Sequence, residues 1–121
     1  MSKYFGDLSD ADSIVSSWSL GDYVSDWYNF SHKKGVEPPP TDDEILAAYY
    51  AYEDYSGTAF VLFQRDGKLY EVNDGHCSCN GLEEWKPEET TWAALAKREF
   101  GGYSFHEDFT KFMQELISQH V

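Results

Sequence analysis

Positively charged residues are scarce in this chain. Its 121 residues include 9 lysines and arginines against 22 aspartates and glutamates, which gives a formal net charge of −13 at pH 7. Nucleic-acid binding uses lysines and arginines to displace counterions from phosphates, and a field of this sign repels the polymer. We therefore expect no direct contact with nucleic acid, and the expected partner is a basic protein.

Long apolar runs and cysteines are also scarce. No stretch approaches the ~20 apolar residues of a membrane-spanning helix, and the first residues lack the basic start and apolar run of a signal peptide. These features predict a cytoplasmic protein that does not bind a membrane. The two cysteines, Cys77 and Cys79, are one residue apart, too close for an ordinary structural disulfide, so reduced thiols are expected.

Aromatic residues, in contrast, are abundant at 17% of the chain. This content argues against a disordered chain despite the high charge, and a chain of this length can bury one core. We predict a single domain over residues 1–121. Its predicted class is α+β, with an antiparallel β-hairpin or small sheet packed against several α-helices.

Residues 1–31 are predicted to form an acidic helical segment. Apolar residues recur there at three- and four-residue spacings, and Gly21 interrupts the pattern, which predicts two short helices or one broken helix. Trp18 and Trp27 fit the core side of this pattern. The polar side is almost purely acidic, and tyrosines that could anchor an interface lie among the acids. The acids are Asp7, Asp10, Asp12, Asp22 and Asp26, and the tyrosines are Tyr23 and Tyr28.

A capping box predicts a helix over residues 41–56. Thr41 and Glu44 would each bond a free amide, and Asp42 and Asp43 would favour the positive end of the helix. Two further helices are predicted within residues 87–119. The first would begin at Pro87, and the second would follow a capping box formed by Ser104 and Glu107; its apolar residues follow the helical period.

Residues 58–74 are predicted to form a β-hairpin. Asp66-Gly67 is the dipeptide that a type I′ turn prefers, and centring the turn there pairs Phe63 with Tyr70 and Val61 with Val72. The opposite face still carries apolar residues, namely Phe60, Leu62 and Leu69. Because a lone hairpin would expose them, they predict a third strand, a second layer or a protein interface.

The turn His76-Cys77-Ser78-Cys79 offers three potential zinc ligands. Structural zinc sites usually combine two ligand clusters, and a second cluster is missing, so we favour a structural role and keep zinc binding by His76, Cys77 and Cys79 as the alternative. A catalytic cysteine requires an electropositive setting, which this chain does not offer. We therefore predict a protein that is not an enzyme and needs no cofactor.

Four short motifs of one segment resemble a known pattern. They are Tyr55-Ser56-Gly57, the Asp66-Gly67 turn, the His76-Cys77-Ser78-Cys79 turn and Trp85-Lys86-Pro87-Glu88-Glu89-Thr90. Together the segment, YSGTAFVLFQRDGKLYEVNDGHCSCNGLEEWKPEETT, is similar to a motif of small uncharacterised bacteriophage and prophage proteins. The resemblance implies a phage-like setting in the host cytoplasm and brings no catalytic residues with it.

The acidic excess is concentrated in the first half of the chain, where residues 1–60 hold 11 acidic and 3 basic residues. One interpretation is a surface that only maintains solubility. The functional hypothesis is an interaction protein that binds, and inhibits by charge mimicry, a basic host defence protein that normally binds nucleic acid. The predicted binding residues are Asp7, Asp10, Asp12, Asp22, Asp26, Tyr23, Tyr28, Asp42 and Asp43. The sequence leaves the oligomeric state open, including a homo-oligomer.

Overall fold

A computed structural model describes residues 3–18, 39–53, 56–77, 85–98 and 105–121. These ranges contain five strands and three helices, which confirms the α+β class. In chain order they are β1 (Tyr4–Gly6), α1 (Ala11–Ser17), β2 (Ile45–Glu53), β3 (Ser56–Arg65), β4 (Lys68–Cys77), β5 (Glu88–Thr90), α2 (Trp92–Ala96) and α3 (Glu107–Ser118).

The five strands form one mixed sheet in the order β1-β2-β3-β4-β5. β1 runs parallel to β2, and each of the other neighbouring pairs is antiparallel. Strands β1, β2 and β4 therefore point toward the same end of the sheet. We call this end the carboxyl end, and the row of residues at Tyr52 and His76 described below lies there.

The predicted hairpin is confirmed with its register. Phe63 pairs with Tyr70 and Val61 with Val72. The two turn residues, Asp66 and Gly67, have φ values of 54° and 77°, as a type I′ turn requires. Local turn chemistry was therefore sufficient to fix the pairing of β3 and β4.

Hydrophobic clusters cover both faces of the sheet. On one face the hairpin residues Ala59, Val61, Phe63 and Val72 pack with Leu8, Ile14 and Trp18, of which the last two come from α1 and its C-terminal cap. On the other face Phe60, Leu62 and Leu69 pack with Leu95, Phe109, Met113 and Ile117 from α2 and α3. The second apolar face of the hairpin is thus covered by a second helical layer.

The helix predicted over residues 41–56 is wrong, because most of this range forms β2. One turn does form: the amide of Thr41 donates to Glu44 Oε1 at 2.9 Å, and the amide of Ile45 donates to the Thr41 carbonyl at 3.1 Å. Beyond it, alternate residues are buried on opposite faces, with Ala48 in one cluster and Tyr49 in the other. Because β2 is buried on both faces, its apolar residues show neither the helical nor the strand periodicity. Its tyrosines favour a strand.

The predicted helical segment over residues 1–31 is correct only in part. Tyr4–Gly6 forms the edge strand β1, and the helix α1 spans Ala11–Ser17. Asp10 caps this helix through the amide of Ser13 at 2.8 Å. Trp18 is 2% exposed and belongs to the core as expected. Gly21, Trp27 and the rest of residues 19–31 lie outside the described ranges.

The predicted start of a helix at Pro87 is also wrong. Glu88–Thr90 forms β5, because this segment pairs with the edge of β4 from Leu69 to Glu71. The helix α2 begins later, at Trp92, where Thr91 Oγ1 accepts from the amide of Ala94 at 3.0 Å.

The last helix is amphipathic as predicted, since Phe109, Met113 and Ile117 are buried along one side of α3. His106 takes the N-cap position without a side-chain capping bond, and Ser104 of the predicted capping box lies outside the described ranges. Within those ranges, no helix has both the length and the apolar character needed to cross a lipid bilayer.

Candidate protein-interaction site

One row of residues crosses three strands at the carboxyl end of the sheet. Tyr52 of β2 pairs with Gly57 of β3, and Gly57 pairs with His76 of β4. Strands two positions apart are separated by about 10 Å, yet the rings of Tyr52 and His76 stack with centroids 5.3 Å apart and an interplanar angle of 27°. The two side chains therefore meet above the strand that lies between them.

Gly57 makes this stacking possible because it has no side chain. A Cβ atom at this position would lie 2.2 Å from Nε2 of His76, which is far inside van der Waals contact. The imidazole therefore occupies the volume that any other residue at position 57 would fill. The sheet places the ring of His76 across the backbone of β3.

Hydrogen bonds hold the neighbouring side chains. The hydroxyl of Tyr50 lies 2.7 Å from Nε2 of His76. Nε1 of Trp18 donates to Oδ2 of Asp74 at 3.0 Å, which ties the end of α1 to β4. We call Tyr50, Tyr52, Asp74 and His76 the His76 cluster. Its rings and carboxylate are fixed by the sheet and by contacts from the helical layer.

A carboxylate also lies beside the start of β1. Oδ1 of Asp42 accepts from the hydroxyl of Tyr4 at 2.6 Å, and the ammonium of Lys3 lies 3.7 Å from the same oxygen. Burial raises the pKa of Tyr4, and the hydrogen bond to Asp42 together with the charges of Asp42 and Asp10 raises it further. Asp10 therefore lies within electrostatic reach of the same phenol while it caps α1.

Two more carboxylates surround Tyr50 at the other end of β1. Oδ2 of Asp7 accepts from the amide of Tyr52 at 3.3 Å. Burial raises the pKa of Tyr50, and the proximity of Asp7, Tyr52 and Asp74 raises it further. We call Asp7, Asp10, Asp42 and Asp74 the anionic band. It spans the β1 edge and the carboxyl end of the sheet around two half-buried phenols.

The two arginines of the chain do not offset this band, because internal carboxylates bind both of them. Arg65 contacts Glu44 through Nε and through a terminal nitrogen, each at 2.8 Å. These bonds, with the backbone at Thr41, lower the pKa of Glu44 to about 2. Arg98 pairs with both oxygens of Glu71. Both arginines are therefore engaged by carboxylates outside the band, and each pair contributes no net charge.

Glu71 forms the floor of a separate polar cleft of about 600 Å³ between β5 and α2, lined also by Asn73 and Thr91. Its carboxylate is almost fully buried. Burial opposes its ionisation, but hydrogen bonds from Arg98, Thr90 and Asn73 outweigh this effect and hold the pKa of Glu71 below its ordinary value. Because this carboxylate is fully engaged, we interpret the pair as structural.

The structure brings together only some of the predicted binding residues. Asp7, Asp10 and Asp42 belong to the anionic band. Asp12 on α1 and Asp43 in the turn before β2 are exposed. The four residues Asp22, Tyr23, Asp26 and Tyr28 lie outside the described ranges.

Sequence reasoning missed Tyr4, Tyr50, Tyr52 and Asp74 as members of the site. Tyr50 was assigned to a helix, so its alternation with Tyr52 on one face of a strand was not used. That alternation was the available signal, because residues two apart in a strand share a face. Asp74 and His76 show the same spacing in β4.

The zinc alternative is only partly described by the structure. Nε2 of His76 faces the hydroxyl of Tyr50, Cys77 is the last residue of β4, and Cys79 lies outside the described ranges. Within those ranges no group of three histidine, cysteine or acidic side chains could hold a metal ion. Zinc binding by this turn stays a prediction.

The chain was compared with protein-family models, with curated proteins and with solved structures, and none of them matches. The site is therefore interpreted from its own residues, chiefly the anionic band and the aromatic rings beside it.

Proposed function

We propose that this chain is an acidic, phage-type interaction protein that binds a basic, nucleic-acid-binding host protein and inhibits it by charge mimicry. The anionic band is the observation that carries this proposal. The charges of Asp10 and Asp42 help to raise the pKa of the Tyr4 phenol. Those of Asp7 and Asp74 help to raise the pKa of the Tyr50 phenol. Four carboxylates thus face one edge and one end of the sheet.

The length of β1 gives a scale for the separation between Asp42 and Asp7. Asp42 and Asp7 flank β1, a strand of three residues that spans roughly 10 Å. In a nucleic-acid strand, successive phosphates are about 3.4 Å apart along the helix axis. Lysines and arginines of a partner that contact a few successive phosphates would therefore find carboxylates spread over a length comparable to that of those phosphates.

The carboxylates of the band are held in place before any partner arrives. Asp10 is bonded to the amide of Ser13, Asp42 to Tyr4 and Asp74 to Trp18. Side chains that are already ordered lose less conformational entropy on binding. Long-range attraction between opposite fields would also accelerate encounter with a basic surface.

The two phenols of the site are assigned a binding role in this proposal. The phenol of Tyr50 lies 2.7 Å from Nε2 of His76, and burial raises its pKa, so its part in the proposed site is that of a hydrogen-bonding group. The same holds for Tyr4, whose pKa is also raised. We therefore propose a non-catalytic role that requires no cofactor and operates in the host cytoplasm.

The proposal is tested by capture from bacterial lysate on immobilised protein. We expect the wild-type chain to retain a nucleic-acid-binding protein that is eluted by salt and displaced by duplex DNA. The double variant Asp7→Asn and Asp42→Asn should retain much less of it. A matched control, Glu107→Gln with Glu115→Gln on α3, changes the charge equally and should bind as the wild type does.

Two results would contradict the proposal. One is capture that persists in high salt and does not respond to competing DNA. The other is equal loss of binding in the band variant and the α3 control, which would mean that total charge, and not the anionic band, determines the interaction.

A further inference from the structure

We propose that Tyr52 is the anchor for an arginine side chain of the basic partner, with Asp7 as the carboxylate beside it. This inference rests on the proposed function. It assigns one contact, in which a guanidinium of the partner would stack on the ring of Tyr52 and approach the carboxylate of Asp7. The basic partner would therefore be recognised by arginine in preference to lysine at this position.

The exposure of Tyr52 sets it apart among the described residues. Its accessible surface is 43% of the maximum, and the only other large apolar side chain described as exposed is Val121. Tyr49 in the same strand is 1% exposed. An exposed tyrosine is the kind of residue that often dominates the energetics of protein interfaces.

The ring of Tyr52 is also held in one orientation. It stacks on the ring of His76. That imidazole lies over Gly57 and is hydrogen-bonded to the hydroxyl of Tyr50. A ring fixed in this way offers contact area without a further loss of rotamer freedom. Tyr52 is therefore preorganised as a binding surface.

Charge complementarity identifies the occupant. The carboxylate of Asp7 accepts from the backbone amide of Tyr52, so a negative charge from the end of β1 lies beside this residue of β2. A planar guanidinium stacks on aromatic rings and pairs with carboxylates at the same time, whereas an ammonium is a compact, strongly hydrated charge. Cation–π attraction adds to the preference for arginine.

The test uses two synthetic peptides of equal charge, acetylated repeats of Gly-Arg and of Gly-Lys, titrated into the protein by calorimetry at low salt. We expect the wild type to bind the arginine peptide about two- to fivefold more tightly, the range that one partly exposed cation–π contact corresponds to, because the strongly hydrated ammonium of lysine does not stack on the ring. Tyr52→Ala should remove this difference. Tyr52→Phe keeps the ring and should preserve it, and amide NMR spectra would confirm that both variants are folded.

The outcomes separate this inference from the proposed function. Equal binding of the two peptides by the wild type, or an unchanged preference for arginine in Tyr52→Ala, overturns the role of Tyr52 while the role of the anionic band stands. If neither peptide binds better than an uncharged Gly-Gln repeat, the proposed function fails, and this inference fails with it.

Discussion

Nε2 of His76 and the hydroxyl of Tyr50 lie 2.7 Å apart in a bond between strands β4 and β2. A zinc ion bound through this nitrogen would have to displace the phenol. A structural zinc site of His76, Cys77 and Cys79 would in addition need a fourth ligand. With this bond intact, zinc would have to bind His76 through Nδ1.

We expect purified protein to contain substoichiometric zinc and to remain folded in the presence of a chelator. Elemental analysis and circular dichroism before and after chelation measure this directly. A stoichiometric amount of zinc that is lost in the double variant Cys77→Ser and Cys79→Ser would instead establish the zinc-binding module, since structural zinc contributes folding free energy.

Replacing Gly57 by alanine should destabilise the protein by about 2 kcal/mol, because forced overpacking of a well-packed site costs about this much. The new Cβ would lie 2.2 Å from Nε2 of His76, so the imidazole must move away from both tyrosines. Urea unfolding measures the change.

The control is the same substitution in a His76→Ala background, where the obstructing ring is gone. We expect the cost of Gly57→Ala to fall to a small fraction of its value there. A cost that is equal in both backgrounds would show that the glycine is required by the backbone and not by the ring above it.

Breaking the buried ion pair should cost more than breaking an exposed one. The side chain of Glu71 is 4% exposed and that of Arg98 is 43% exposed, so Arg98→Met would leave a buried carboxylate short of its donors. We expect a loss of about 2 kcal/mol, reduced from the cost for a fully buried pair because Arg98 is partly solvated.

Lys68 provides the matched control for this experiment. It lies 4.0 Å from Glu89, and both side chains are more than half exposed. Lys68→Met should change the free energy of unfolding by less than about 0.5 kcal/mol. Equal effects of the two substitutions would argue against a structural role for the Glu71 carboxylate.

Glu44 should make the stability of the fold depend on pH in the acidic range. Its pKa is lowered from 4.5 to about 2 by Arg65 and the Thr41 backbone. A depressed pKa contributes stability that is complete above about 4.5 and is lost as the pH falls toward 2. Glu44→Gln should therefore flatten the dependence of the unfolding free energy on pH between these values.

Urea unfolding of wild type and Glu44→Gln at a series of pH values measures the effect. Glu115→Gln, an exposed substitution on α3, serves as the control and should follow the wild-type profile. Parallel profiles for wild type and Glu44→Gln would mean that the bonds to Arg65 do not stabilise the folded state.

The parts of the fold that the sequence predicted are those encoded locally. The Asp66-Gly67 turn determined the pairing of β3 and β4, and the apolar spacing of α3 determined its buried side. β2 was mistaken for a helix because its residues are buried on both faces, so neither periodicity was visible. Local capping at Thr41 then favoured the wrong element.

The candidate site was less predictable because it depends on distant pairing. The acidity of the N-terminal segment was visible, but its relation to Tyr4 and Tyr50 required the parallel pairing of β1 with β2. The stacking of Tyr52 on His76 required three strands in one register with a glycine in the middle. Contacts between residues so far apart in the chain leave no periodic signal in a single sequence.

The edge strand β5 has a consequence for the behaviour of the protein at high concentration. Two of its three residues are Glu88 and Glu89, and both are exposed. A second copy that added itself to this edge would bring carboxylates together across the new strand pair, which is unfavourable. The same acids therefore discourage fibril-like stacking of copies of this chain through β5.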